Sequence, residues 1–456
     1  MKYRIAHVGA FDFENFGDLL FTDVLKKKLE ERIEIGEIVY FAPKTCKMPG
    51  KNESVHSITK LEKMMEENPF DAIIVGGGDL VHMRKIRTYM PHISEDWVDY
   101  EVIYLWVVPS LVAQKYNIPL IWNAPGVPLD FSKEEAVAAS WLCKNVDYIS
   151  VRDQISKKTL SCVTDADRIN VVPDTVLCIR DIILEDELIQ IFRKLSLDMK
   201  KKEYIFFQGN KTLSDEDIKT CADMLFDLKN KTGYKVILQP IGYALGDIEV
   251  LEKVSNIYQN EFIFIRQKMN QYEILALIAN AALYVGASLH GCITANSYGV
   301  KNIVYNYNRF SKVDGFVDLI GREDTRVYNS KDIIQAYDGL RDVCKEEMNE
   351  YIYQIERHFD RIAEIIKHRV KVKIEYISKD IAEYIFCASE KIVQLQKEIE
   401  AISVEKQGII LENKRIRKEN TELWKYKKAY DEVVMSFSWR FMKPVRNILD
   451  SIKQRH

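Results

Sequence analysis

The sequence predicts an α/β protein with two doubly wound parallel-sheet domains, followed by a long C-terminal helix that forms a coiled coil. Three observations indicate this fold. Short apolar runs alternate with amphipathic stretches in two successive sets, and a charge-rich helical stretch near residues 174–200 separates the sets. Glycine is absent between Leu340 and Gly408, where the chain becomes helical and charged. Short buried strands that alternate with helices are typical of a parallel sheet covered on both faces.

The first domain, residues 1–175, is predicted to contain strands with helices between them. The strands are expected at Tyr3–Val8, Ile38–Phe41, Ala72–Val75, Leu120–Asn123 and Tyr148–Val151. The helices are expected at Asp18–Glu31, Ile58–Glu67, Trp97–Lys115 and Lys133–Asn145. In open α/β sheets, ligands bind at the carboxyl ends of the strands, so the turns that follow these strands are candidate binding positions.

The second domain, residues 176–330, repeats the alternation. Its strands are expected at Tyr204–Gln208, Lys235–Gln239, Phe262–Ile265, Ala281–Val285 and Asn302–Tyr305. Its helices are expected at Asp215–Asn230, Asp247–Tyr258, Gln271–Asn280 and Cys292–Tyr298. Two such domains that face each other leave a cleft between their strand ends, and we expect the functional site in that cleft.

The C-terminal part divides into a helical region at 331–390, a coiled coil at 391–432 and a basic, aromatic tail at 433–456. Apolar residues recur at the d position of six heptads: Leu395, Ile402, Ile409, Ile416, Leu423 and Tyr430. Asn413 and Asn420 occupy a positions, which favours a parallel dimer with a fixed register. We therefore expect a homodimer through this coil; the alternative is a long helix that lies on the protein's own domain.

Composition excludes several classes of protein. The net charge is −3, so no bulk attraction to nucleic acid is expected. The eight cysteines form no CxxC pair, which argues against a zinc site or a redox dithiol and fits reduced thiols in the cytoplasm. No apolar stretch reaches the roughly 18 residues of a membrane span. We expect a cytoplasmic protein that needs no metal and no cofactor.

The segment 287–300 gives the strongest functional signal. An apolar run leads into a small-residue turn, and His290 follows at the first turn of a helix that Gly299 closes. A helix N-terminus at a strand end favours an anion. A histidine there can contact a phosphate and move a proton near neutral pH. The alternative is a helix-capping Ser288 followed by a structural histidine.

Three turns of the first domain supply further candidates. After strand one, Asn15 and Asp18 can face the cleft or cap the helix. After strand three, the glycines allow close approach of the backbone to a ligand, and Asp79 follows them (Gly76, Gly77, Gly78). After strand five, Arg152 can clamp a phosphate or carboxylate, or pair with Asp153 at the surface.

The turn after the last strand of the second domain carries two cations. Arg309 and Lys312 follow the tyrosine-rich segment 305–308. Together with His290 and Ser288 they can complete a positive pocket for an anion. Each can equally be a solvated loop charge.

These motifs, in this order, resemble the polysaccharide pyruvyl transferase family across roughly residues 3–325. The matching segments are Asn15-Phe16-Gly17-Asp18, Gly76-Gly77-Gly78-Asp79, Gly126-Val127-Pro128, Val151-Arg152-Asp153 with Ser156, Val172-Pro173-Asp174, Ser288-Leu289-His290-Gly291 with Ala295 and Gly299, and Lys312 with Gly315-Phe316. The resemblance implies a fold similar to GT-B glycosyltransferases. It also implies transfer of pyruvate from phosphoenolpyruvate, the donor substrate, to two saccharide hydroxyls as a ketal. Many members carry arginine where this chain has Ser288.

On this resemblance, His290 is expected to be the acid/base and Asp18 a second candidate base. Arg152, Ser288, Arg309 and Lys312 are expected at the donor's anionic groups. Asn15, Asp79 and the glycines Gly76, Gly77 and Gly78 are expected to line the cleft near the acceptor.

Two other functions stay open. One is a GT-B-type nucleotide-sugar glycosyltransferase, although residues 287–300 contain no acidic side chain to hold a donor ribose. The other is a non-catalytic glycan-binding scaffold. The expected partners are a saccharide acceptor, which a lipid can carry, a second copy of the chain and other polysaccharide-synthesis enzymes. The tail at 436–446 resembles one found on surface-polysaccharide glycosyltransferases. It can rest at the inner face of the membrane, dock on a partner enzyme or fold back as a surface helix.

Overall fold

A computed structural model describes residues 2–84, 102–195, 197, 200–243, 246–344, 346–369, 379–435 and 447, without the side chains of 379–401 and 433–435. The chain divides into two compact units, Met1–Ile374 and Glu375–His456. The first unit contains both α/β lobes.

The first lobe is built on a six-stranded sheet in the order β3-β4-β2-β1-β5-β6. All neighbours are parallel except β3 and β4. The strands are β1 Tyr3–Val8, β2 Ile35–Ala42, β3 Cys46–Lys47, β4 Ser54–Ser57, β5 Ala72–Gly76 and β6 Leu120–Asn123. The helices are α1 Phe16–Glu30, α2 Leu61–Glu67, α3 Tyr104–Tyr116, α4 Lys133–Lys144 and α5 Gln154–Leu160, and a 3-10 turn at Ile58–Lys60 precedes α2.

The strand expected at Tyr148–Val151 leaves the main sheet. It forms β7 Ile149–Val151 and pairs with β8 Ile169–Val171 in a separate two-stranded parallel sheet. The side chain of Ser150 explains the break, because its Oγ donates to Trp122 O at 2.6 Å and accepts from Ala124 N at 2.9 Å. A serine hydroxyl therefore satisfies backbone groups of β6 that a neighbouring strand would otherwise bond.

The second lobe has six parallel strands in the order β11-β10-β9-β12-β13-β14. They are β9 Tyr204–Gln208, β10 Lys235–Leu238, β11 Phe262–Phe264, β12 Leu283–Gly286, β13 Lys301–Tyr305 and β14 Arg326–Val327. The helices are α6 Glu185–Lys194, α7 Asp215–Thr232, α8 Asp247–Ile257, α9 Gln271–Asn280, α10 Leu289–Ser297, α11 Ser311–Leu319 and α12 Ile333–Gly339. Further 3-10 turns lie at Ala166–Arg168, Thr175–Asp181, Glu323–Thr325 and Ser330–Asp332.

A long helix joins the two lobes. α13 Glu347–His368 follows the second lobe and packs on α1 of the first. Lys28 Nζ lies 2.6 Å from the Glu356 carboxylate, and Arg32 bonds the same carboxylate at 2.5 Å. One continuous apolar cluster includes residues of α1, the turn at Thr175–Asp181, α9, α10 and α13. The two lobes therefore share a core beneath the ends of their strands.

The second unit contains α14 Lys379–Met435, a helix of 57 residues. Every described side chain between 402 and 432 is exposed. The start predicted for the third helix at Trp97, the d-position side chain of Leu395 and the tail at 436–446 lie outside the described residues. In the described part of the chain, no helix is both long enough and apolar enough to cross a membrane.

Candidate active site

The candidate site lies where the strands of both lobes end. Asp18 stands in the first turn of α1, after β1, and Asp79 follows β5. His290 stands in the first turn of α10, after β12. The two lobes touch here, because Phe16 N donates to Ile241 O at 3.3 Å and Asn15 forms an isolated bridge with Gly242. The cleft expected from the sequence is therefore bordered by the N-termini of helices from both lobes.

His290 lies in this contact zone with its side chain 10% exposed. The edge of its ring packs against Phe21, with ring centroids 5.4 Å apart. Its Nδ1 faces the backbone of Gly17, since a β-carbon built on that glycine would lie 1.9 Å from the nitrogen. Its Nε2 lies 3.6 Å from Oδ2 of Asp174. The imidazole is thus held between a glycine of the first lobe and a buried carboxylate.

Asp174 is a site residue that we did not assign from the sequence. It precedes the 3-10 turn at Thr175–Asp181, where Oδ1 accepts from Val176 N at 3.1 Å. The side chain is 2% exposed, and among the described residues neither Oδ2 nor His290 Nε2 has a hydrogen-bond partner. The family motif Val172-Pro173-Asp174 is the feature of the sequence that could have identified this aspartate as a site residue. A carboxylate that faces one imidazole nitrogen can orient the ring and stabilise its protonated form.

Asp18 is the second acidic group of the site. It is 8% exposed, and burial raises its pKa, while His290, Asn15 and Lys312 act in the opposite direction. Asn15 Nδ2 donates a hydrogen bond to Oδ2 of Asp18 at 2.8 Å. Asn15 occupies the N-cap position of α1 but makes no side-chain cap bond. Both residues therefore face each other at the cleft, and a raised pKa makes the carboxyl of Asp18 a stronger base than an exposed aspartate.

A charged cluster joins the two lobes beside Asp18. Arg152 Nη2 bonds Oδ1 of Asp79, and Lys312 Nζ of the second lobe lies 3.0 Å from Oδ2 of the same carboxylate. Arg152 Nε also lies 3.6 Å from Asp153, which caps α5. Arg152 is 4% exposed and Lys312 is 29% exposed. The expected anion-binding cations are thus brought together, and Asp79 engages both of them.

The glycines make room for these side chains. A β-carbon on Gly78, whose φ is +79°, would lie 2.8 Å from Oδ1 of Asp18. One on Gly77, at φ +87°, would overlap the ring of Phe21, and one on Gly76 would lie 2.4 Å from Asn123 O. One on Gly126 would lie 2.6 Å from Nη2 of Arg152. The backbone therefore closes around the acidic and basic groups of the site.

A buried network supports the turn that leads to His290. Gln208 Oε1 accepts from Ala287 N at 3.1 Å, and its Nε2 donates to Asp247 at 2.9 Å. The same Asp247 oxygen accepts from the N–H groups of Ile241 and Gly242. Burial raises the pKa of Asp247 to about 6. No motif in the sequence indicated this network, which fixes the loop that touches α1.

The family sequence profile of polysaccharide pyruvyl transferases matches residues 15–309. This range contains the acidic, basic and histidine groups described above, apart from Lys312. The chain belongs to the polysaccharide pyruvyl transferase family. It is therefore a transferase, as the motifs predicted. Among curated proteins, none matches the sequence.

The fold of this pyruvyl transferase family member is similar to that of UDP-GlcNAc 2-epimerases. The enzyme from Methanocaldococcus jannaschii is 13% identical, with a TM-score of 0.52, over 81% of this chain and 100% of that chain. The enzyme from Rickettsia bellii is 10% identical, with a TM-score of 0.51, over 81% of this chain and 97% of that chain. At these identities the likeness shows the fold alone, a GT-B-like pair of α/β lobes.

In this pyruvyl transferase family member, two side chains that were predicted to contact the donor, Ser288 and Arg309, contact other groups of the protein. Ser288 is the N-cap of α10, and its Oγ accepts from Gly291 N at 3.3 Å. The capping alternative therefore describes this serine. Arg309 is exposed and lies over the ring of Tyr328, 4.3 Å from its centroid. Neither contact places these side chains in the cluster of Asp79. Among the described residues, no group of three or more His, Cys, Asp or Glu is arranged to hold a metal ion.

Proposed function

We propose that this chain transfers pyruvate from phosphoenolpyruvate to two hydroxyls of a saccharide, forming a ketal during synthesis of a bacterial surface polysaccharide. The observation that carries the proposal is the His290–Asp174 pair, which lies beside Asp18 and the cations Arg152 and Lys312 at the lobe contact. Family membership supports the reaction class. The donor itself is part of the proposal.

The reaction needs two proton movements. A proton is added to the methylene carbon of phosphoenolpyruvate, which becomes a methyl group, and the central carbon becomes electrophilic. One hydroxyl adds to that carbon, the bond to the phosphate oxygen breaks, and the second hydroxyl adds. The two hydroxyls lose two protons; one replaces the proton given to the methyl group and the other leaves with the phosphate. Acid, base and anion stabilisation must therefore act together.

The site contains side chains suited to these roles. His290 is proposed as the acid/base, with Nε2 directed at Asp174 and Nδ1 on the side of Gly17. Asp174 is proposed as a positioning residue that fixes the ring and stabilises its positive form. Asp18, whose pKa burial raises, is proposed as the base for an acceptor hydroxyl. These assignments put proton donor and acceptor on opposite lobes.

The donor anion is proposed to bind Lys312, Arg152 and the start of α10. Lys312 is the most exposed of the charged groups, at 29%. The first N–H groups of a helix have no helical carbonyl to bond, and the dipole there favours an anion. This combination takes the place of the arginine that many family members carry at position 288. We propose that the reaction takes place in the cytoplasm, at the inner face of the membrane when a lipid carries the acceptor.

The test is turnover in D₂O with phosphoenolpyruvate and saccharides that carry a free diol. Phosphate release and a ketal whose methyl group carries one deuterium support the proposal. His290→Ala is expected to lower turnover about 10²–10⁴-fold. His368→Ala is the matched control, because His368 is exposed at the end of α13, away from the residues of the site.

Other results would replace the proposal. Release of a nucleotide from a sugar nucleotide, without phosphate release from phosphoenolpyruvate, would favour the glycosyltransferase alternative. Saccharide binding without either reaction would favour the scaffold. A His290→Ala variant with the turnover of the wild type would remove the catalytic assignment.

A further inference from the structure

Among the described residues, the long helix α14 carries a row of exposed apolar side chains. Five side chains at seven-residue spacing are exposed: Ile402 62%, Ile409 56%, Ile416 45%, Leu423 63% and Tyr430 66%. Apolar side chains that recur at seven-residue spacing on a helix are typical of a coiled-coil seam. We propose that this row pairs with the same row of a second copy, in a parallel, in-register, two-stranded coiled coil. The inference rests on the helix alone and is independent of the proposed reaction.

The spacing of the row identifies a helix as its partner. A straight α-helix drifts about 20° per heptad relative to a strict seven-residue repeat. Between Ile402 and Tyr430 the row therefore turns through about 80° around a straight helix. A flat protein surface would lose contact with such a row. A second helix that supercoils with it keeps every d residue in contact.

The a positions favour two strands in register. In the described part they are Lys406, Asn413, Asn420 and Lys427. A buried asparagine at an a position fixes register and oligomer state, because its amide meets the amide of the partner only when the strands are aligned. The lysines at the outer a positions can cover apolar surface with their stems and keep their charges in water.

The charges beside the seam favour the parallel orientation. The g positions carry Glu405, Glu412 and Glu419. In an antiparallel pair these positions face each other, so glutamates would face glutamates. In a parallel pair each g residue faces the e position of the next heptad, which places Glu412 against Arg417 of the second copy. Glu405 and Glu419 then face the apolar side chains of Ile410 and Trp424 rather than another glutamate. Pairs at e and g set the orientation of coiled coils.

The first test is the mass of the full chain in solution. The chain has a mass of 53.2 kDa, so a dimer has twice this mass, about 106 kDa. Ile416→Glu places a charge in the seam and is expected to give monomers at micromolar concentration. Leu411→Glu is the matched control, because Leu411 is 67% exposed at an f position, outside the seam, and should leave the dimer intact.

The second test is orientation. Under mild oxidation, Asn420→Cys is expected to form a disulfide-linked dimer above the background that the wild-type cysteines give, because position 420 faces itself only in a parallel, in-register pair. A monomeric wild type, a trimer or tetramer, or equal effects of Ile416→Glu and Leu411→Glu would overturn the inference. A dimer in which the cysteine at 420 does not cross-link would overturn the parallel register.

Discussion

Gly17→Ala is the sharpest test of where His290 must lie. Gly17 is the second residue of α1, and a β-carbon there would lie 1.9 Å from Nδ1 and 2.0 Å from Cγ of His290. Ordinary contact begins near 3.4 Å, so the ring or the helix must move by about 1.5 Å. Misplacement of a catalytic group by 1 Å can lower the rate about 100-fold. We expect Gly17→Ala to lose at least about 100-fold in turnover.

The assay is phosphate release from phosphoenolpyruvate with an accepted saccharide, and a crystal structure of the variant reports the ring position. Alanine is favoured over glycine in a helix by about 0.5–1 kcal/mol, which offsets part of the packing cost of the added β-carbon, about 1–3 kcal/mol. Gly339→Ala is the control, because its β-carbon would meet no atom within 4 Å. A Gly17→Ala enzyme with the turnover of the wild type and an unmoved imidazole would refute the proposed contact.

Two further predictions concern stability. Burial raises the pKa of Asp247 from 3.8 to about 6, so the folded state binds the carboxyl proton more tightly than the unfolded state does. This difference stabilises the folded state by about 3 kcal/mol at low pH. The stabilisation is lost as the pH rises from 4 through 6. The free energy of unfolding in urea, wild type minus Asp247→Asn, should fall by about 2 kcal/mol between pH 4 and 7, since the unfolded aspartate is already partly ionised at pH 4; a constant difference would contradict it. Burial also lowers the pKa of His7 and His358 to about 3. Protonation of these histidines in acid destabilises the wild type and the Asp247→Asn variant equally, so it cancels in the difference between their free energies of unfolding. Glu356→Gln should cost about 2 kcal/mol in the same assay, because Lys28, 5% exposed, loses the nearer of its two carboxylate partners and keeps only Glu31 at 3.6 Å; an unchanged midpoint would exclude the Lys28–Glu356 pair as a link between the lobes.

Local patterns predicted much of the fold. The bounds of the strands Tyr3–Val8, Leu120–Asn123 and Tyr204–Gln208 and of the helix Gln271–Asn280 agree with the structure. Each is a short apolar run or a helix with a capping residue, so neighbouring residues determine it. The helix of His290 begins at Leu289 rather than Cys292, because Ser288 caps it. Helix starts depend on one side-chain bond and are correspondingly hard to place.

Contacts between segments far apart in the chain could not be predicted from the sequence. Asp174 meets His290 across 116 positions of chain, and only the packing of the two lobes brings them together. The return of α13 to α1 depends on Glu356, whose charge alone does not identify its partners among many cations. The departure of β7 from the main sheet depends on one hydroxyl of Ser150. These features follow from pairings that no local periodicity encodes.

The charges of the cluster set a condition on any anionic donor. Arg152 and Lys312 supply two positive charges, and Asp79 engages both, while Asp153 lies 3.6 Å from Arg152. A donor with a phosphate and a carboxylate therefore meets cations that are already paired. Either Asp79 turns away or a proton joins the site, and burial raises the pKa of Asp18, which favours its protonated form. A protonated Asp18 cannot take a proton from an acceptor hydroxyl, so the proposed role of Asp18 as a base requires that Asp79 turn away when the donor binds.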